Sequence, residues 1–409
     1  MKIVADFHIH SKYSRAVSQE MNLENISLWA KKKGIQVMGT GDFTHPQWFN
    51  EIKTKLKPAE EGLYKIQDTH FILTTEISSI YSKGGKARRI HNLIFAPSIE
   101  AVEKINTKLG WIGNLKSDGR PILGLDSKEL LKIILDIDKR CVLIPAHAWT
   151  PWFSIFGSMS GFDSIEECFD EMSPHIFAIE TGLSSDPSMN WRLSALDKIS
   201  FISNSDSHSL QKIGREANVF DCELSYGGII GAIKSKNQKK FLYTIEFFPE
   251  EGKYHYDGHR DCGIYFSPEE TKKHKGKCPK CGKNLTVGVL NRVDVLADRK
   301  IGEKPGNAIP FKNLIPLDEI IGEALGVGPK SKKVMAEYEK LVGELESELN
   351  VLLNVSIDDI SRVSNQKIAE AVKNVREGRV YIRPGYDGEY GKISILKKEK
   401  AHANMSLFE

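Results

Sequence analysis

The sequence predicts an α/β chain in three parts: a seven-stranded β/α barrel, a small cysteine-bearing ribbon, and a mainly helical C-terminal domain. Three observations carry this prediction. Short apolar runs alternate with striped helical stretches over roughly the first 210 residues, the pattern of a parallel α/β core. Six of these runs end in polar or ionisable residues and a seventh carries a histidine near its start, which suits a barrel whose site is built from strand ends. Beyond about residue 230 the chain turns lysine-rich, gathers three cysteines within twenty residues, and then becomes helical.

Taken in order, KIVADF is a strand that ends in His8 and His10, one spacer apart. Side chains alternate along a strand, so the two imidazoles point the same way. NLENISLWAKKKG has apolar residues at helical spacing and stops at Gly34, a helix C-cap. GIQVMGTG ends in Asp42, with His45 close behind, and HFILTT ends in Glu76. RRIHNLIFA carries His91, and DSKELLKIILDI opens with Asp126 three residues before Glu129, a capping-box pattern. CVLIPA ends in His147, and HIFAIE ends in Glu180. MNWRLSALDKI reads as a striped helix before ISFISNS, which ends in Asp206 and His208. The expected domains are residues 1–232, 233–304 and 305–409.

The bulk numbers fit an ordinary globular protein. Hydrophobic residues are 40% and charged residues 27% of 409, enough for two or three domains with a sizeable core. A net charge of +3 permits a nucleic-acid partner without arguing for one. The longest apolar runs fall far short of a membrane span, and the chain enters a strand pattern at once, with no leader signature, so a cytoplasmic location is expected. Cys141, Cys168 and Cys222 are scattered singly and read as buried thiols.

The candidates at the strand ends are His8, His10, Asp42, His45, Glu76, His91, His147, Asp206 and His208. Imidazole nitrogens mixed with carboxylate oxygens suit Zn²⁺, Mn²⁺ or Fe²⁺. Nine candidates exceed what one ion takes, so two or three ions sharing a bridging carboxylate are expected, with Glu76 as the bridge. Each residue has a plainer reading beside this one. His45 could cap a turn before Pro46, His91 could be a core histidine, and Asp206 could belong to an Asx-turn in SNSDSHS. The D-S-H dyad repeats the one-spacer geometry of H-I-H, and two such dyads on separate strands argue together for metal. Paired cations activate water and stabilise both oxygens of a phosphoryl displacement, so phosphoester hydrolysis is the chemistry expected. No Gly-rich phosphate loop or nucleophilic serine motif competes.

These segments, FHIHSKYS, TGDFTH, TTEIS, RRIHNL, PAH and SDSH, resemble the motifs of the PHP (polymerase and histidinol phosphatase) metal-dependent phosphoesterases over roughly residues 1–230. The resemblance implies a distorted seven-stranded β/α (PHP) barrel with a trinuclear site of zinc or manganese. Many members carry a further histidine shortly after the H-x-H pair; this chain reads YSRAVS there, and Arg15 is expected to meet phosphate instead. Many also read Asp-His where this chain has Asp42-Phe43, with His45 a shifted substitute.

The ribbon is a second metal site. Cys278-x-x-Cys281 followed by Gly282 is a knuckle half-site, and His259-x-x-Cys262 supplies its partner with fifteen residues between the halves. A Cys₃His structural zinc is expected, with His255 in reserve. A redox role is disfavoured because no thioredoxin-like frame surrounds the cysteines. Lys272, Lys273 and neighbouring lysines crowd the ribbon, either as a solvated face or as a phosphate-backbone contact. SKGGKARRIH is expected to set Arg88 and Arg89 near the metal cluster. ALGVGPKSKKV is either a helix-hairpin-helix turn with Lys330 on phosphate or a plain connection. Trp149, Trp152, Phe153 and Phe156 follow His147, and Phe43, Trp48 and Phe49 follow Asp42. On predicted loops they would suit an unstacked base, with Trp149 and Trp152 the expected DNA contacts.

Barrel, the DGHRDC…CPKCGK ribbon and the tail ending in RPGYDGEYG together resemble the endonuclease Q family over essentially the whole chain. The resemblance implies a DNA repair endonuclease that cuts 5′ of deaminated bases (uracil, hypoxanthine, xanthine) or abasic sites. Asp206, Glu76, His147 and Arg15 are then the expected catalytic groups, two or three ions (Zn, Mn or Mg) the cofactors, and damaged DNA the partner. Two rival readings are a histidinol-phosphate-type phosphatase, which leaves the ribbon and tail idle, and a non-catalytic DNA-binding module.

Overall fold

The computed structural model describes residues 1–396 of the chain, so residues 397–409 of the expected C-terminal domain lie outside the described residues. Each of the seven apolar runs forms a strand: Lys2–Asp6, Val37–Gly39, Thr69–Lys83, Lys86–Ala96, Val142–Pro145, Ala178–Glu180 and Ser200–Ile202. The pairing is mixed, which corrects the all-parallel expectation. Lys2–Asp6 runs parallel to Val37–Gly39, and that strand runs parallel to Thr69–Lys83. Thr69–Lys83 and Lys86–Ala96 are instead a long antiparallel hairpin, and Val142–Pro145 adds antiparallel to its second arm. The cause is the Gly84–Gly85 turn: both glycines have positive φ, 61° and 72°, the conformation that a two-residue hairpin turn requires. SKGGKARRIH is therefore this hairpin tip and not a loop, and His91 lies within a strand opposite Ser78.

Ala178–Glu180 and Ser200–Ile202 pair with each other in parallel, as a separate two-stranded sheet. Side chains and single bonds link it to the rest. Ala148 N donates to Glu180 O. Asn204 Oδ1 accepts from Phe7 N, and Asn218 Oδ1 accepts from Ser203 N. On the far side, Ala217–Asp221 pairs antiparallel with Lys2–Asp6, and two strands from beyond residue 232, Phe241–Glu246 and Phe311–Asn313, extend the sheet.

The first helix, Leu23–Lys33, is capped by Asn22 and ends at Gly34, with φ 88°. A Cβ at Gly34 would meet Ser347 Oγ at 2.6 Å, so glycine also lets the C-terminal helices approach. Lys33 Nζ pairs with Glu348 at 2.6 Å in the buried seam, and Tyr338 donates to the same carboxylate. Asp126 caps Ser127–Ile137 by accepting from Lys128 N. MNWRLSALDKI is not one helix: it breaks into Pro187–Asn190 and a 3₁₀ turn at Ser194–Leu196. Tertiary bonds override its stripe, because Arg192 pairs with Asp294 and its carbonyl accepts from Asp298 N and Arg299 N.

The tail forms helices Leu317–Leu325, Lys332–Glu344, Glu348–Leu353, Ile357–Val363 and Gln366–Arg376, then a Tyr381–Arg383/Lys392–Ser394 hairpin. Most of the aromatic residues expected on loops are core. Phe43, Trp48 and Phe49 are buried, the last two on helix Pro46–Lys55, and Trp149 and Phe156 are buried against one another. Trp149 Nε1 donates to Asn190, so this ring is not available to a base. Trp152 alone among them is well exposed, at 40%.

Candidate metal centre

The two dyads lie side by side. Ile9 bridges Ser207 in parallel and His10 N donates to Ser207 O, so His8-Ile9-His10 and Asp206-Ser207-His208 present their outer members to one space. The His10 and His208 rings are 4.7 Å apart. The ligand atoms of His8, His10 and Glu76 lie within 4.8 Å of one another, as do those of Glu76, His91 and His147, and those of His10, Asp206 and His208. Glu76 and His10 are shared between groups. Glu76 Oε1 stands 2.7 Å from His91 Nδ1 and 3.2 Å from His147 Nε2; its Oε2 stands 3.4 Å from His10 Nε2 and 3.7 Å from His8 Nε2. One carboxylate thus offers an oxygen to each of two donor groups.

The imidazoles are aimed from behind. His8 Nδ1 donates to both oxygens of Glu180 at 3.0 Å, His10 Nδ1 to Asp42 at 2.9 Å, and His147 Nδ1 to Thr150 Oγ1 at 2.9 Å. Each bond leaves Nε2 facing the cluster, the orientation outer carboxylates impose on metal-binding histidines. The fit to cations follows from what is unfilled. His8 Nε2, His10 Nε2 and Asp206 Oδ1 are buried with no hydrogen-bond partner, a costly arrangement unless something binds between them. The backbone is strained here as well: Asp42, His147 and Asp206 all have positive φ, 49°, 29° and 45°. Non-glycine residues hold that conformation only when their surroundings fix it. At Gly182, a Cβ would meet His147 Cβ at 2.5 Å.

Electrostatics follow the same geometry. Burial alone would raise Glu76, but His91, His8 and Arg120 hold its carboxyl well below the usual range. Burial opposes charge on His8 too, yet Glu180, Glu76 and Asp206 raise it well above the ordinary imidazole value. Asp206, despite its burial, is held far down by His8 and His10. His91 is pushed down to about 4, chiefly by burial. The pocket sets deeply held carboxylates against imidazoles.

Not every expected ligand joins this cluster. Asp42 is spent behind it: its carboxylate accepts from His10 Nδ1, Ser11 N and Oγ, and Ser14 Oγ. His45 stacks on Tyr13 with centroids 4.5 Å apart and stands in none of the three donor groups. Arg15 is turned outward, its side chain 77% exposed and paired with Asp118. Arg88 Nη1 bonds Gly161 O and its guanidinium lies 4.0 Å over Phe162, while Arg89 lies over Phe153. Sequence reading missed two groups. Glu180 was legible only as a strand end; its role under His8, His147 N and Asn204 depends on long-range packing. Arg120 Nη1 stands 3.2 Å from Glu76 Oε2, and nothing in the turn-like SDGRP ties it to the cluster.

In the ribbon, the ligand atoms of His259, Cys262, Cys278 and Cys281 lie within 4.8 Å of one another. Gly282 N closes the knuckle on Cys278 O, with Gly282 at φ 74°. His255 stands outside this group, buried and stacked on Tyr256. Lys272 pairs with Asp294 and Lys273 with Glu269. Lys330 is exposed in the turn before Lys332–Glu344.

Fold and donor set together define a metal-dependent hydrolase. The chain is 34% identical to the lesion-specific endonuclease PfuEndoQ from Pyrococcus furiosus, whose crystal structure it matches with a TM-score of 0.87 over 97% of this chain and 96% of that one. It belongs to the endonuclease Q family. A second structure, endonuclease Q with a 27-mer duplex substrate carrying an abasic lesion at the active site, matches at 33% identity and TM-score 0.85, covering all of both chains. The uncharacterized protein MJ0043 of Methanocaldococcus jannaschii is 38% identical over 255 residues, 61% of this chain; the match spans 31% of that protein's length. Residues 316–379 match the family described as the MJ0043 C-terminal domain.

Proposed function

We propose that this chain is a DNA repair endonuclease that hydrolyses the phosphodiester 5′ of a deaminated base or an abasic site. The observation that carries the reading is Glu76, which offers one oxygen to each of two imidazole groups. Full-length likeness to a lesion-specific endonuclease and to a complex with abasic duplex supports the substrate class. In this reading the first part of the chain is a distorted seven-stranded barrel, closed through the Asn204 and Asn218 side chains. Residues 1–232 cut, while 233–304 and 305–409 grip duplex, and the protein works in the cytoplasm. Among the described residues no helix is long and apolar enough to cross a membrane.

His8, His10, Glu76, His91, His147, Asp206 and His208 would hold two or three divalent cations, and His259, Cys262, Cys278 and Cys281 one structural zinc. When bound, the barrel cations supply activation of water and stabilisation of negative charge on phosphate. The chain's own part is orientation. Glu180 and Asp42 fix the His8 and His10 rings, and Asp206 and His208, 25% and 34% exposed, form the open side where a backbone enters. Selection comes from extruding a nucleotide, which costs least where pairing is already lost. Trp152, exposed and edge-on to Tyr254, would stack against the unpaired strand.

The test is direct. End-labelled duplexes with a single uracil, hypoxanthine or abasic position are incubated with Mg²⁺, Mn²⁺ or Zn²⁺, and the cut is mapped. A metal-dependent nick on the 5′ side is expected. Phosphate release from a small monoester with intact duplex would replace this reading with the phosphatase one, and binding without metal-dependent cutting would leave a DNA-binding module.

A further inference from the structure

Phosphoryl displacement needs a cation aimed at the non-bridging oxygens of the phosphate, and arginine suits this because its planar fork matches them. Neither arginine expected to do this is placed for it. Arg15 is 77% exposed and turned to Asp118, and Arg88 is held by the Gly161 carbonyl and the Phe162 ring. Arg215, close by, spends Nε and Nη2 on the Ser205 carbonyl. Arg120 is different. Its guanidinium reaches Glu76 Oε2 at 3.2 Å, is 27% exposed, and feels Asp206 as well.

The loop that delivers it is built to close tolerance. Gly119 lies so near the Asp42 carboxylate and Ser14 Oγ that a Cβ would stand 2.3 Å from each. Gly119 N donates to Tyr13 O, and Asp118 Oδ1 accepts from Arg120 N and Arg15 N. The acid that fixes His10 therefore also abuts the turn carrying Arg120. A purely structural pair would not need this. Glu76 already faces four imidazoles, and a further fixed cation on a carboxylate meant for metals competes with them.

We infer that Arg120 is the phosphate-contacting guanidinium of the site: its bond to Glu76 is a resting contact, given up when cations occupy Glu76, and the fork then faces the scissile phosphate. This rests on the endonuclease reading above. It makes Arg120 a group that supplies no metal ligand and acts on the substrate's charge.

The experiment compares the full chain with Arg120→Lys and Arg120→Ala. Single-turnover nicking of abasic duplex in Mn²⁺ is expected to fall by roughly 10²–10³-fold in Arg120→Ala, the usual loss of one transition-state donor, with Arg120→Lys in between. Bound metal per chain should not fall below the wild-type value, and melting temperature should stay at it. The deciding readout is affinity in Ca²⁺ for duplexes carrying phosphate or neutral methylphosphonate at the mapped cut. Wild type should prefer phosphate by roughly tenfold more than Arg120→Ala does, the worth of a charged hydrogen bond, the part of the preference that site cations would supply being common to both. If Arg120→Ala keeps the full wild-type phosphate preference, or if both variants lose metal or melt early, Arg120 is structural and the inference falls. A wild-type protein that nicks no lesion duplex fails at the earlier step, and the endonuclease reading falls instead.

Discussion

Replacing Glu180 with glutamine tests whether the imidazole cluster is aimed from behind. The carboxylate accepts from three donors at once: His8 Nδ1 at 3.0 Å, His147 N at 2.8 Å and Asn204 Nδ2 at 2.8 Å. Glutamine is nearly the same shape but has one acceptor oxygen, so at least one contact becomes donor against donor. The His8 contact is the most easily lost, because a ring can turn and a backbone N–H cannot. Outer-sphere changes of this kind typically cost 10–100-fold in metal affinity, or about 1.4–2.8 kcal/mol. Glu180 is fully buried, so solvent does not soften the effect. The assay is competition between the protein and a chelator for Mn²⁺ or Zn²⁺, read as metal retained per chain, with far-UV circular dichroism as a control for folding. Metal retention within twofold of wild type in a folded Glu180→Gln protein would refute the claim that this acid positions His8 for a cation.

Asp206→Ala should abolish nicking while duplex affinity stays within a few fold, checked by gel assay and anisotropy; cutting at the wild-type rate would remove Asp206 from the site. Cys278→Ser should release about one zinc per chain and lower the melting temperature, since a structural zinc site carries folding energy; unchanged zinc content would dismiss the ribbon site. Burial pushes the Glu246 carboxyl from 4.5 up to about 8, with Thr244 and Thr181 donating to it. The fold therefore holds its proton more tightly than the unfolded chain, and the stability it contributes is lost as pH rises through that window. Glu246→Gln should flatten the fall in melting temperature between pH 5 and pH 8.5; an unchanged slope would contradict this.

What could be read from the sequence was what local spacing encodes. H-I-H and D-S-H each fix their own pair of side chains by strand alternation, and every apolar run predicted as a strand is one. The C-x-x-C/H-x-x-C spacing likewise carries its geometry with it. What failed to show was anything set by contacts distant in sequence. SKGGKARRIH shows in sequence only a segment carrying Arg88 and Arg89; that Gly84–Gly85 joins two sheet strands depends on both arms having partners. Trp149 and Trp48 follow site residues in sequence, yet their indole N–H groups are spent on Asn190 and on the Thr40 and Gly41 carbonyls. Asp42 is the instructive case: strand-end position puts it at the site, but only the fold shows that Ser11, Ser14 and His10 already fill its oxygens.

The sharing of residues between donor groups has a consequence for how the site fills. Glu76 belongs to two groups and His10 to two, so cations held by these groups would not bind independently. His91, His147 and Glu76 would hold one cation with a carboxylate that also faces His10, His8 and Arg120. His10, Asp206 and His208 would hold another with an imidazole that also faces Glu76. Affinity at each position then depends on its neighbours, and the coupling must be reciprocal. The buried layer of Glu180, Asn204, Asn218 and Asp6 beneath the strands bonds to the His8 ring, to one another and to backbone N–H groups. Ring orientation is thus fixed by the chain's own bonds. Emptying one position by chelation should therefore change retention at the others while leaving the fold in place, a behaviour that isolated single-ion sites on the same scaffold would not show.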